Sequence, residues 1–160
     1  MPKARLLIEC DQEERHKIRN ALIAHLASHS AIDVETGCLE LRQSGKGTKL
    51  CISTTDNNRV MINFSGFLLS QDVQVPKQSI AVAQAFFKVK GIEDQGYNAS
   101  HLCHNPQCVN HQHIVLEDAE YNRSRNFCCG GNDCKHEPKC IRPGVRSFII
   151  QNKPKQTYLA

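Results

Sequence analysis

Apolar positions in the first half of the chain repeat with two different periods. In residues 11–29 they recur at four-residue spacing, at Ile18, Leu22 and Leu26, behind Asp11 as a candidate N-cap. This pattern predicts a helix with one buried face. In residues 49–64, apolar and polar positions alternate on both sides of an Asp-Asn-Asn turn, which predicts a β-hairpin.

The two faces of the predicted hairpin differ in chemistry. Its core face carries the apolar residues Leu50, Ile52, Val60, Ile62 and Phe64. Its other face carries Lys49, Ser53, Thr55, Arg59 and Asn63. A two-stranded ribbon with such donors and acceptors suits a DNA major groove, although many hairpins have a wet polar face that binds nothing. The second face is therefore a candidate DNA-contacting surface.

Other segments complete an α+β pattern. Residues 37–42 alternate as a short strand, and residues 76–90 predict a second helix that begins at Pro76 and ends before Gly91. With 160 residues, a single domain is expected. We predict a small mixed domain with antiparallel sheets.

Cysteine and histidine are more frequent than in ordinary chains. There are nine Cys and eight His but no Trp. No apolar run has the length of a signal-peptide core or of a membrane span. We therefore expect an intracellular protein without membrane association, in the nucleus of a eukaryote or the cytoplasm or nucleoid of a prokaryote or phage. There, thiols serve metal ligation more often than disulfides.

The net charge is mild, at +4, but its distribution is uneven. Basic residues are frequent in the last forty positions, at Arg123, Arg125, Lys135, Lys139, Arg142, Arg146, Lys153 and Lys155. Such an excess suits a polyanionic partner, and it is also typical of a solvated surface. Charge alone does not distinguish these two cases.

The first candidate metal cluster contains Cys103, Cys108 and His113, each separated from the next by four residues. Thiolate and imidazole are ligands of tetrahedral zinc. The fourth ligand is Cys38 or Cys51 from an upstream strand, or a water. A fourth protein ligand would make this zinc structural, whereas a water would make it catalytic.

A second candidate cluster lies in NFCCGGNDCKHEPKC. Cys128 or Cys129, together with Cys134, His136 and Cys140, completes a Cys3His set within thirteen residues. We prefer Cys128 as the first ligand. The glycines let the backbone wrap around a small ion.

The segment between the clusters has the order strand, strand, helix. His101 lies on the first strand, residues 113–117 return as the second, and the helix in DAEYNRSRN carries Asn122. This is the arrangement of a ββα-metal nuclease.

Together, ASHLCHN, Cys108, His113, Asn122 and NFCCGGNDCKHEPKC resemble the His-Cys box of the homing endonucleases. The resemblance covers about residues 98–142. Upstream, GCLELR around Cys38 and the strand at Arg59 are similar to family strands that supply a zinc ligand and an active-site arginine.

The resemblance implies two structural zinc ions per chain, bound by Cys38, Cys103, Cys108 and His113 and by Cys128, Cys134, His136 and Cys140. It also implies His101 as general base, Asn122 as the ligand of one catalytic Mg²⁺, and Arg59 as a phosphate contact.

The resemblance further implies a homodimer that cuts both strands of a palindromic or pseudo-palindromic double-stranded DNA site. Residues 1–97 would be the DNA-contacting half, with Lys49, Ser53, Thr55 and Asn63 in the major groove. Residues 98–142 would form the His-Cys box. The tail, residues 143–160, would either fray or dock on the partner subunit. The alternatives are a non-catalytic zinc module that binds nucleic acid, or a restriction or phage nuclease with the same chemistry.

Overall fold

The computed structural model describes residues 5–42, 52–54, 59–92 and 96–147. Its helices are α1 Gln12–Ser28, α2 Phe64–Ser70, α3 Val82–Lys88 and α4 Ala119–Arg125. Its strands are β1 Arg5–Leu6, β2 Ser30–Ile32, β3 Leu39–Leu41, β4 Ser53–Thr54, β5 Val60–Asn63, β6 Val73–Gln74, β7 Ser79–Ala81, β8 Tyr97–His101 and β9 Ile114–Asp118. Short 3-10 turns lie at Leu7–Glu9, His111–His113 and Gly131–Asp133.

The strands form small sheets within the described residues. β4, β5 and β7 make an antiparallel sheet with β5 in the centre, and β2 pairs with β3 in a second antiparallel sheet. β8 and β9 form a third antiparallel pair, whereas β1 and β6 pair in parallel. This mixture of helices and mainly antiparallel sheets confirms the predicted α+β class.

The first predicted helix is confirmed. Asp11 is the N-cap of α1, and its carboxylate accepts a 2.8 Å hydrogen bond from the backbone N–H of Glu14. Ile18, Leu22 and Leu26 are all buried. A capped start and one apolar stripe were enough to locate this helix, because both signals are local.

The second predicted helix is wrong in its first part. Residues 79–81 form β7 instead, and Ile80 pairs with Ile62 of β5. The helix begins only at Val82 and ends at Lys88, two residues earlier than predicted, and Gly91 follows in the turn with a positive φ of 78°. In residues 79–81, pairing with β5 overrides the local helical pattern. The backbone groups of these residues bond to β5 and are therefore not available for helical hydrogen bonds.

Phe64 also differs from its predicted place at the end of the hairpin. It begins α2, which Asn63 caps through a 3.0 Å hydrogen bond from the N–H of Gly66 to the Asn63 side-chain oxygen. Phe64, Phe67 and Leu68 face the core at helical spacing. Phe64 is therefore buried as expected, but on a helix.

The main hydrophobic core lies between α1, α2, α3 and the β4–β5–β7 sheet. Of the predicted hairpin core face, Ile52, Val60 and Ile62 are buried, and Leu50 lies outside the described residues. Val109 and Ile114 extend the core to the β8–β9 pair. The sheet and the ββα unit are therefore packed on one another. Within the described segments, no helix is long and apolar enough to cross a membrane.

Candidate active site and metal centres

The predicted strand–strand–helix unit is present as β8, β9 and α4. His101 at the end of β8 pairs with Ile114 at the start of β9. Asp118 is the last residue of β9 and the N-cap of α4, accepting a 2.8 Å hydrogen bond from the N–H of Tyr121. Because the cap leaves no linker between strand and helix, α4 starts at a fixed point beside the two strands.

This unit forms one wall of a cavity of about 360 Å³ that brings the three predicted catalytic residues together. His101 comes from β8, Asn122 from α4, and Arg59 from the segment just before β5. These residues are far apart in sequence, and only the packing of the β4–β5–β7 sheet against the ββα unit makes them neighbours.

The hydrogen bond of His101 determines which ring nitrogen is available. Its Nε2 lies 3.1 Å from the carbonyl oxygen of Cys108. A carbonyl only accepts, so Nε2 must carry the proton and Nδ1 keeps a lone pair in the neutral ring. Burial lowers the pKa of His101 below its ordinary value, and the charge of Arg59 lowers it further. The ring is therefore neutral at pH 7, with Nδ1 able to accept a proton.

Asn122 projects an amide into the same cavity. Its side chain forms no hydrogen bond with any of the described residues. None of the residues that line the cavity, all of them within the described ranges, is Asp or Glu. A lone amide oxygen fits a Mg²⁺ ion that keeps several waters and takes further oxygens from a substrate.

The first Cys/His cluster consists of Cys38, Cys103, Cys108 and His113, whose ligand atoms all lie within 4.8 Å of one another. His113 Nδ1 is 3.7 Å from the sulfur of Cys38 and 3.5 Å from that of Cys108. With zinc–sulfur and zinc–nitrogen bonds of about 2.3 and 2.0 Å, tetrahedral ligands lie about 3.6 Å apart. The cluster therefore fits a tetrahedral zinc ion.

Backbone contacts bring Cys38 to this cluster. The N–H of Val109 donates to the carbonyl of Leu39 at 2.8 Å, so that β3 lies alongside the loop before β9. The Asn110 amide donates to the carbonyl of Gly37, also at 2.8 Å. Cys38 thus completes a four-residue set by tertiary contact. Cys51, the alternative ligand, lies outside the described residues.

The second Cys/His cluster consists of Cys128, Cys134, His136 and Cys140, again within 4.8 Å of one another. His136 Nδ1 is 3.6 Å from the sulfur of Cys134 and 3.8 Å from that of Cys140, which also fits tetrahedral zinc. Cys129 is exposed and is not part of the set. The structure thus brings together the Cys3His set that includes Cys128, the residue preferred from the sequence.

A hydrogen bond to Ser124 orients the ring of His136. The Ser124 hydroxyl donates to the carbonyl of Tyr121 at 2.6 Å, so its oxygen accepts from His136 Nε2 at 2.8 Å. The proton on Nε2 leaves Nδ1 free for a metal. Such contacts fix the tautomer of metal-binding histidines.

One thiol in each cluster, Cys108 and Cys134, has a pKa lowered toward the thiolate form. In the first, a hydrogen bond from Cys103 lowers the pKa of Cys108 to about 5, while the pKa of Cys103 is raised. In the second, burial opposes ionisation of Cys134, but backbone N–H groups lower its pKa to about 6. One of them, the N–H of Cys140, lies 3.2 Å from the Cys134 sulfur. A buried thiolate needs a cation nearby, which zinc supplies.

The predicted DNA-contacting residues differ in exposure and in their contacts. Ser53 is exposed on β4, whereas Asn63 is half-buried and its side-chain oxygen caps α2. Lys49 and Thr55 lie outside the described residues. Arg125, counted among the basic residues for a polyanion, is instead 1% exposed and ion-paired with Glu117. Because its charge is neutralised inside the protein, Arg125 does not belong to a basic surface.

Other residues of the cavity were missed from the sequence. Asn126 lies four residues after Asn122 and lines the same cavity, as do Gln84, Asn98 and His104. Four-residue spacing on a helix could have indicated Asn126, since such residues share a face. His104 is half-buried, with a positive φ of 55° and no partner for its Nε2 among the described residues.

The comparison with known families agrees with this geometry. Residues 73–148 match the family model described as the zinc-binding loop region of homing endonuclease. The matched range contains α3, the ββα unit and both Cys/His clusters apart from Cys38. The resemblance to the His-Cys box homing endonucleases is thereby confirmed over residues 73–148, which are similar to the zinc-binding loop region of that family.

Proposed function

We propose that the protein is a sequence-specific DNA endonuclease that hydrolyses phosphodiester bonds in both strands of a palindromic or pseudo-palindromic site. The observation that carries this proposal is the meeting of His101, Asn122 and Arg59 in one cavity. The three supply a proton acceptor, an oxygen ligand and a positive charge, which phosphodiester hydrolysis requires. The family match supports the nuclease class.

In this proposal, His101 is the general base. Nδ1 accepts a proton from a water whose oxygen attacks the phosphorus, while the bond from phosphorus to the 3′ oxygen breaks. The products are a 5′-phosphate and a 3′-hydroxyl, the latter protonated from water. The Cys108 carbonyl stabilises the imidazolium that forms, because it accepts a hydrogen bond from Nε2.

Asn122 and Arg59 would act on the charge of the phosphate. Asn122 would hold one Mg²⁺, which when bound supplies positive charge to a phosphate oxygen and to the leaving 3′ oxygen. Arg59 would contact the scissile or product phosphate. The zinc ions, held by Cys38, Cys103, Cys108 and His113 and by Cys128, Cys134, His136 and Cys140, would be structural.

Each chain has one such cavity among its described residues, and two DNA strands must be cut, which favours a homodimer. The exposed hairpin residue Ser53 would contact the major groove, together with Lys49, Thr55 and Asn63. Phosphate contacts by basic side chains would make binding fall steeply with salt.

The test is cleavage of plasmid or genomic DNA in Mg²⁺ by wild type, His101→Ala and His16→Ala. We expect discrete fragments from wild type and His16→Ala, since His16 is exposed on α1. For His101→Ala we expect a rate loss of about 10²- to 10⁴-fold. Zinc content by metal analysis should be equal in all three. Cleavage by His101→Ala at the wild-type rate would contradict the mechanism.

The second candidate is a non-catalytic zinc module that binds nucleic acid, which the two metal clusters alone would also support. It predicts retarded but uncut DNA for wild type at every Mg²⁺ concentration. Selection of cleaved sites from a randomised DNA pool would then give no enrichment. Under the endonuclease proposal, the same selection returns a site with two-fold symmetry.

A further inference from the structure

Helix α4 contacts the second Cys/His cluster with the side chains that do not face the cavity. The Tyr121 hydroxyl accepts a 2.8 Å hydrogen bond from the N–H of Glu137, and its ring packs edge-on against His136. Ser124 contacts the same histidine through its hydroxyl. Asn122, on the same short helix, lines the cavity instead. The helix therefore lies between the second cluster and the candidate Mg²⁺ ligand.

Of these α4 side chains, Arg125 makes the most hydrogen bonds. Its Nε and Nη2 donate to the two carboxylate oxygens of Glu117 on β9, at 2.6 and 2.9 Å. Its Nη1 donates to the carbonyl of Pro138 at 2.8 Å and to the sulfur of Cys140 at 3.3 Å. One guanidinium thus joins β9, α4 and the second cluster.

Burial raises the pKa of the Cys140 thiol, whereas the hydrogen bond from Arg125 opposes that rise and favours a thiolate. Three thiolates carry one more negative charge than a divalent zinc ion neutralises, and the positive Arg125 lies beside one of them. Burial alone would lower the pKa of Arg125, but hydrogen bonds to Glu117 and Cys140 raise it above its ordinary value. A fully buried guanidinium is tolerated because all three of its nitrogens have partners.

The end of α4 is also fixed from the other side. The N–H of Arg146 donates to the carbonyl of Asn126 at 2.7 Å, and that of Gly144 donates to the carbonyl of Cys128 at 2.8 Å. A Cβ added at Gly144 would lie 2.2 Å from the Arg125 carbonyl oxygen, so the backbone segments are in close contact. The backbone at the end of α4 is therefore closely packed against residues 144–146.

We propose that Arg125 is a positioning residue that couples the second Cys/His cluster to the active cavity, by holding α4 so that Asn122 presents its amide to Mg²⁺. This inference rests on the proposed role of Asn122. Arg125 itself does not line the cavity. It acts through the helix, and its loss weakens the Mg²⁺ site without removing a reacting group.

The test compares Arg125→Lys with Arg123→Lys in the full chain. Arg123 is an exposed neighbour on the same helix, and Lys keeps the charge but loses the paired donors that Arg125 offers to Glu117. For Arg125→Lys we expect the Mg²⁺ concentration for half-maximal cleavage to rise by roughly 10- to 100-fold, as for other residues that support metal ligands. The kcat at saturating Mg²⁺ should stay within about twofold of wild type, because no reacting group is lost. Arg123→Lys should leave both quantities unchanged.

Two readouts do not depend on activity. Mn²⁺ titrated into the protein–DNA complex and followed by electron paramagnetic resonance should bind Arg125→Lys more weakly, by the same factor as the Mg²⁺ shift. Co²⁺ substituted into the second cluster should show a displaced thiolate-to-cobalt charge-transfer band, since one ammonium group cannot replace the guanidinium donors to both Glu117 and Cys140. Tyr121→Phe, which removes only the hydroxyl that Glu137 contacts, should shift the Mg²⁺ dependence in the same direction by less.

The inference is overturned if Arg125→Lys has the wild-type Mg²⁺ and Mn²⁺ dependence, or if its kcat falls while both metal affinities stay constant. If Arg125→Lys does not fold, Tyr121→Phe decides, and an unchanged metal dependence in that variant is equally contradictory. Failure of the proposed function is distinct, because it appears as wild type that does not cut DNA at any Mg²⁺ concentration.

Discussion

The residues before position 92 and those after position 98 are held together by different chemistry. The first region buries aliphatic and aromatic side chains in one continuous core, with Phe64, Phe67 and Phe86 each 1% exposed. In the second region, the described residues form two buried clusters that consist of cysteines alone, one of which includes Cys38 from the first region. The candidate catalytic residues His101 and Asn122 lie in that second region.

This difference shows where stability comes from in each region. Burial of large apolar side chains contributes roughly 1.5–3 kcal/mol each, whereas four clustered ligands without a metal gain little and bring like charges together. A structural zinc ion is worth on the order of 10 kcal/mol of apparent binding free energy. We therefore expect the region beside the candidate active cavity to depend on metal for its order.

Removal of metal should have the largest effect on the difference in stability between the two regions. We expect metal analysis to find about two zinc ions per chain, and a strong chelator to abolish protection from hydrogen exchange in residues 98–147. Residues 12–28 of α1 should keep more of their protection, because their core is apolar. The measurement is hydrogen exchange by mass spectrometry before chelation, after it, and after zinc is added back. Full protection of residues 98–147 in metal-free protein would contradict the proposed origin of its stability.

Loss of one ligand should have an intermediate effect. Cys38→Ser removes the contact that ties β3 to the first cluster, so we expect about one zinc ion per chain to remain and thermal stability to fall. Cys129→Ser is the matched control, since Cys129 is exposed and outside the second cluster, and it should retain both ions. Full zinc occupancy and stability in Cys38→Ser would reassign the fourth ligand to Cys51 or to water.

A change in the apolar core should have the smallest effect of the three, and it should not touch the metals. Leu22→Ala on α1 creates a cavity at a fully buried position and should cost about 2–5 kcal/mol of unfolding free energy. Denaturant titration measures the loss, with Ala24→Gly on the same helix as a second substitution expected to cost about 1 kcal/mol through helix propensity alone. Zinc content and the Co²⁺ spectrum should be unchanged in both. Loss of zinc from Leu22→Ala would show that the two regions are not independent.

Local sequence patterns gave correct predictions where all the contacts that define a feature lie within one short segment of the chain. Asp11 with its apolar stripe located α1, and the spacing of Cys128, Cys134, His136 and Cys140 identified a complete ligand set, because a short loop brings these residues together. The strand–strand–helix order around His101 was also predicted correctly. In each case the contacts are between near neighbours in the chain.

Local sequence patterns gave wrong predictions where contacts with residues distant in sequence compete with a local structural preference. Residues 79–81 continue a helical pattern but pair with β5, and Phe64 continues an alternating pattern but begins α2. Arg125 looked like one of several surface cations, whereas Glu117 and Cys140 bury it. Burial and pairing depend on what lies opposite, which a periodic pattern does not contain.

The sequence by itself determined the residue types of two Cys/His clusters and the order of the ββα unit, because ligand chemistry and short-range spacing are properties of the chain. Only the tertiary structure decided that Cys38 completes the first cluster and that Arg59 reaches the cavity of His101 and Asn122. It also decided that the side chain of Arg125 joins α4 to the second cluster. These contacts join segments up to 75 residues apart, as between Cys38 and His113. Their formation depends on packing free energy summed over the whole core, which no single segment specifies.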